Sequence, residues 1–366
     1  MANHKEMLKQ AQKNAKDASV GVNRKIEELG RHAAKLDVTL TRIQDLFERI
    51  GGKPDEYEKA YKQIKGSHAN WKLAAEKIEK EYNNLGIATG CGSAATVAGI
   101  GLATLGPTAA MGIATTFGVA STGTAISALS GAAATNAALA WLGGGALAAG
   151  GGGMVAGKAL VCLAGPVGWS VAAVAFATSI YLYFWKKSKL DRLMEILTLI
   201  CKRDAKRDNL AIVELNERIK RIDDENEKLK DAIIEIETFG TNFNQMTTAQ
   251  QMKLGAYVNL MRASMALLKN PILGLQPKFS ARDFDKVYED ETVENRRYLS
   301  YLRNKDVIIK LANLLFNITL NGDDIELLAQ HFKKDKVFLD SINMTEKTFD
   351  VKMISMAVRC LEWQYV

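Results

Sequence analysis

The sequence predicts an all-α protein: a long coiled-coil helical bundle flanking a large apolar, glycine- and alanine-rich helical segment suited to entering a membrane. Two observations carry this. In the flanks about a third of the residues are charged, Lys, Glu, Ile and Leu are abundant, and apolar residues recur at three- and four-residue steps. Between the flanks, from Tyr82 to Trp185, run 104 residues with one charge, Lys158, where the chain-wide charged share of 24% would place about 25. A domain exposed to water needs charged surface, so such a segment must face lipid or be wrapped by the rest of the molecule.

The first element is a helix with a heptad seam. Ala15, Val22, Ile26, Leu29, Ala33, Leu36, Leu40, Ile43, Phe47 and Ile50 keep a 3-4 repeat, with Ser19 in the remaining slot. Gly51-Gly52-Lys53-Pro54 stops it, because glycine favours a helix cap and proline cannot continue one. Tyr57, Tyr61, Ile64, His68, Trp71, Ala75, Ile78, Tyr82 and Leu85 then resume the spacing, and residues 1–84 are expected to form an antiparallel coiled-coil hairpin.

Residues 85–185 form the apolar segment. Four stretches in it are long enough to cross a bilayer: Leu85 to Leu105, Thr108 to Leu129, Ala132 to Ala149 and Val167 to Trp185. The last, with Val167 and Trp169 near its start, ends in Tyr181, Tyr183 and Trp185 followed by Lys186 and Lys187, as a spanning helix meets the cytoplasmic interface. Lys72, Lys77 and Lys80 precede the first stretch, so both polar flanks are expected on one side, with an even number of crossings. The first three stretches, in which Trp141 lies, consist largely of Ala, Gly, Ser and Thr, whose transfer into lipid is only marginally favourable. Close packing must supply the rest, and Gly86 with Gly90, or Gly153 with Gly157, are spaced to let helix backbones approach.

A third long helix is expected over 186–240. Leu190, Met194, Leu197 and Cys201 carry its first part; Ile212, Leu215, Ile219, Ile222, Asn226, Leu229, Ile233 and Ile236 carry its second, with a phase slip between Asp204 and Asp208. Residues 241–366 read as shorter amphipathic helices, a packing or regulatory subdomain, broken at Asn270-Pro271, Gln276-Pro277 and Asn321-Gly322-Asp323-Asp324. Ser280 and Thr345 look like capping starts.

Function follows by elimination. The net charge of +7 suits anionic lipid or nucleic acid, but the basic residues alternate with acidic ones instead of forming a stripe with aromatics, which argues against nucleic acid. Cys91, Cys162, Cys201 and Cys360 have no metal-ligand spacing, and four histidines suggest neither a metal site nor a hydrolase triad. The N-terminus lacks an apolar signal core, so the protein is expected to be made in the cytosol and to be membrane-associated when active, in its own or a target cell. Gly152 to Lys158 nearly spells a phosphate-binding loop, but Ala159 replaces the magnesium-ligating hydroxyl and no strand precedes it, so no cofactor is expected. His68, in a seam position, is a candidate pH trigger, because a charged imidazole in an apolar seam would loosen it.

Long heptad helices on either side of an apolar head resemble the α-helical pore-forming toxins, the family of haemolysin E and the enterotoxin components. The resemblance is one of architecture over residues 5 to about 238. The run from Ser121 through Gly153 is also similar to glycine-zipper stretches of bacterial membrane-associated and apolipoprotein-L-like proteins. These resemblances imply a non-enzymatic protein that permeabilises a lipid bilayer as a homo-oligomer or with related helical subunits. A resident multi-span protein with a coiled-coil scaffold and a nucleotide-driven membrane-remodelling protein are the alternatives.

Overall fold

The computed structural model describes residues 2–84, 187–270, 272–275, 278–290, 304–335, 338–339 and 344–364, and these are all-α. The spine is a pair of helices, α1 (Ala2–Glu48) and α3 (Lys187–Ile236), about 70 and about 75 Å long at 1.5 Å per residue. They run parallel and side by side, for His4 faces Asp191, Gly21 lies against Ile212, His32 faces Asp223 and Arg42 reaches Glu237. At their C-terminal ends Gly51 N donates to Thr241 O at 2.8 Å and Phe243 N to Gly51 O at 2.9 Å, which ties the two chain reversals together. Gly52 makes its turn at φ 73° and Gly240 at φ 79°, where a side chain would be strained.

From this tied end two helices run back along the pair. α2 (Asp55–Asn84) is antiparallel to α1: Lys65 pairs with Glu48, Tyr61 Oη donates to Gln44 O, and His68 meets Asp37. α4 (Thr248–Lys269) is antiparallel to α3, opens on a capping box in which Thr247 and Gln250 satisfy each other's backbone N–H, and pairs Lys253 with Glu235. The four helices enclose a core that runs from Val22 to Phe47 on α1, with Ile50 just beyond it, and from Ala211 to Ile236 on α3, with Tyr61, Ile64, Leu254, Val258 and Met261 filling the other sides.

A second core occupies the opposite end of the spine. There Leu8 to Ala18 of α1 and Leu190 to Ala205 of α3 pack with α5 (Ala281–Asp290), α6 (Lys305–Leu315), α7 (Gly322–Lys334) and α8 (Val351–Gln364). Phe332 stacks on Phe338 in it, with centroids 4.3 Å apart, and Phe349 meets both rings edge to face at 6.4 and 5.7 Å. The subdomain buries a second face of α3, carrying Leu193, Ile196 and Ile200, in addition to the expected seam.

Three sequence expectations change. The seam of α3 does not slip between Asp204 and Asp208: those aspartates occupy the seam positions themselves, 0% and 1% exposed, and Ala211 rather than Ile212 is the next fully buried residue. Asn321 is no mere break, since it caps α7 in a box with Asp324. Thr345 opens a turn closed by Thr348, and the helix begins six residues later at Val351, whereas Ser280 does cap α5 through Asp283.

Candidate functional site

The residues expected to enter the membrane, Gly86, Gly90, Trp141, Gly153, Gly157, Val167, Trp169, Tyr181, Tyr183 and Trp185, lie outside the described residues, as do Lys186 and all four candidate spans. No helix among the described residues is long and apolar enough to cross a membrane. What the fold positions is the frame. The apolar segment follows Asn84, at the end of α2, and precedes Lys187, the first residue of α3. α2 runs back toward the end of the spine where α3 begins, and that end is the one the C-terminal subdomain packs against.

His68 sits where an apolar wall was expected, and its surroundings are polar. Its ring is 2% exposed, with Nε2 2.6 Å from Asp37 Oδ1 and Nδ1 3.1 Å from Gln44 Oε1, and it stacks on Trp71 at 6.3 Å. Asp37 also meets Lys72 at 3.3 Å. The seam at His68 is therefore polar, where the sequence suggested an apolar wall.

The histidine under real electrostatic stress is His331 on α7. It is 4% exposed, packs against Phe332, and burial pushes its pKa down to about 4 despite the opposing charge of Asp335. The sequence did carry a sign of this: His331 falls three residues after Leu328 and beside Phe332, on the apolar face of its helix.

Three arginines of α3 hold the other helices by their ends. Arg218 Nη1 donates to Leu267 O and Asn270 O at the C-terminus of α4, at 2.8 and 2.9 Å. Arg203 Nη1 donates to Leu314 O and Phe316 O at the C-terminus of α6, at 2.8 and 2.5 Å. Cations there offset the unsatisfied carbonyls and the negative end of the helix dipole. Arg192 forms a two-pronged pair with Asp324, the capping acid of α7, at 2.8 Å on each arm, which holds that carboxyl below the usual range and raises the guanidinium. Arg203 also chelates Asp204 Oδ1, leaving the buried Oδ2 without a hydrogen bond. Asp208 is reached by Arg207.

Among the described residues no group of three His, Cys, Asp or Glu side chains could hold a metal ion. Cys201 and Cys360 are buried and not disulfide-bonded, and burial pushes the Cys201 thiol up to about 12, far from a nucleophilic thiolate. No family model, curated protein or solved structure matches the chain, so the likeness to α-helical pore-forming toxins rests on the sequence pattern.

Proposed function

We propose that the protein acts at a lipid bilayer, where residues 85–185 insert and permeabilise it, and that the helices described above are the frame that carries this segment. The carrying observation is the run of 104 residues with the single charge of Lys158, set between helices whose own surfaces are densely charged. Its small-residue composition makes insertion conditional, marginal in lipid and unfavourable in water. The parallel spine supports the reading, since it directs both ends of the segment toward one end of the frame.

Dye release from liposomes by purified protein tests it. Replacing Ala173 and Ala177 with Asp places two charges in the last span at roughly 2.5 to 3.5 kcal/mol each. Leakage should collapse while the far-ultraviolet circular dichroism of the frame is kept. Undiminished leakage from that variant would remove the assignment.

A further inference from the structure

Resting on the bilayer reading and extending it to the side of the frame, we infer that one face of α3 is a docking surface for anionic lipid headgroups, engaged before the central segment inserts. Leu199, Lys202, Lys206, Leu210 and Val213 follow one another at three- and four-residue steps, so they share one helix face over about 21 Å. All are exposed: Leu199 by 43%, Leu210 by 61%, Val213 by 59%, and both lysines besides. Scattered apolar side chains on a surface need no explanation; three on one face with two lysines between them do. Beside Lys202 the face opens into a groove of about 320 Å³ between α1 and α3, floored by Ala11 and Ala205 and edged by the exposed Met7.

Charge decides the occupant. Lys202 and Lys206 form no ion pair among the described residues. The acids between them, Asp204 and Asp208, are buried on the opposite side of the helix, and the exposed acids of this face, Glu195 and Glu217, lie beyond either end of it. A second copy seated symmetrically on the same face would bring these lysines against each other. A bilayer with anionic headgroups instead accepts the ammonium groups at phosphate depth, while the leucines, the valine and the lysine stems enter the interface. The face begins 12 residues after Lys187, so docking would bring the C-terminal end of the uncharged segment toward the membrane surface.

The test uses the Ala173→Asp/Ala177→Asp protein, so that binding is read without insertion, on vesicles of phosphatidylcholine with and without phosphatidylserine. Each lysine contributes about fivefold in partitioning near an anionic surface, so Lys202→Gln with Lys206→Gln should weaken binding to the phosphatidylserine vesicles roughly 25-fold and leave the neutral ones unchanged. Leu210→Ser with Val213→Ser should weaken binding to the same vesicles, and both changes are at exposed positions that leave the fold intact. Equal partitioning of all three proteins would overturn the inference. So would a change confined to sedimentation-derived self-association, which would assign the face to a second copy. Binding that follows the lysines in a protein whose parent form releases no dye would retain the docking face and defeat the insertion reading instead.

Discussion

At the scale of single residues, acid sensitivity belongs to His331. Its folded pKa of about 4 lies below the ordinary 6.5, so the unfolded chain binds more protons between those values. The stabilisation from keeping the ring neutral is therefore complete above about pH 6.5 and is lost as the pH falls toward 4. The gap corresponds to about 3 kcal/mol, all of it in the C-terminal subdomain. Urea unfolding of wild type at pH 7 and pH 4.5 should show that loss. His331→Phe should flatten the dependence; an equal slope in wild type and His331→Phe would exclude the assignment. His68 could be placed in the core from its heptad position, but not its partners, since Asp37 and Gln44 are brought to it by the fold.

At the scale of elements, α3 is the organiser. Its seam is apolar at both ends, and in the middle it carries Asp204 and Asp208 between the two cores, beside Arg207 and beside Arg203, which also binds the end of α6. Removing the guanidinium by Arg203→Met would leave the buried Asp204 with only the longer 3.8 Å pairing to Arg207, and two carbonyls of α6 without their donor. The expected loss is about 3 to 5 kcal/mol, and adding Asp204→Leu should recover a large part of it, because a buried ion pair replaced by apolar residues is often neutral or stabilising. Chemical denaturation of the two variants checks this: a double mutant no more stable than Arg203→Met would show that Asp204 is not the source of the loss.

At the scale of the whole molecule, the two ends of the uncharged segment leave a frame in which α2 descends toward the end where α3 starts. If the segment inserts, the basic runs on either side resist crossing, and both flanks remain on one face of the membrane. Single cysteines at Asn83 and, separately, at Ser188, in a background without the four native cysteines, should label alike with a membrane-impermeant thiol reagent after insertion. Opposite labelling would mean an odd number of crossings. The nucleotide alternative predicts the reverse of another result: Lys158→Ala should leave dye release within a few-fold, and loss of micromolar nucleotide binding in that variant by calorimetry would reinstate a phosphate loop.

Helical periodicity, the stops at Gly51-Gly52 and Asn270-Pro271, the bounds of α3 to within four residues and the charge-free centre are all determined by the sequence itself. Repeat spacing, backbone restriction and charge are properties of neighbouring residues and need no fold to be read. Only the tertiary structure decided that α1 pairs in parallel with a helix about 190 residues away, that the C-terminal helices bury a second face of α3, and that Asp204 and Asp208 belong to the interior. A charged side chain in a seam reads as an interruption until its setting is known: Arg203 and Arg207, the partners of Asp204 and Asp208, are neighbours on α3 itself, but the burial of both acids is produced by packing from other elements.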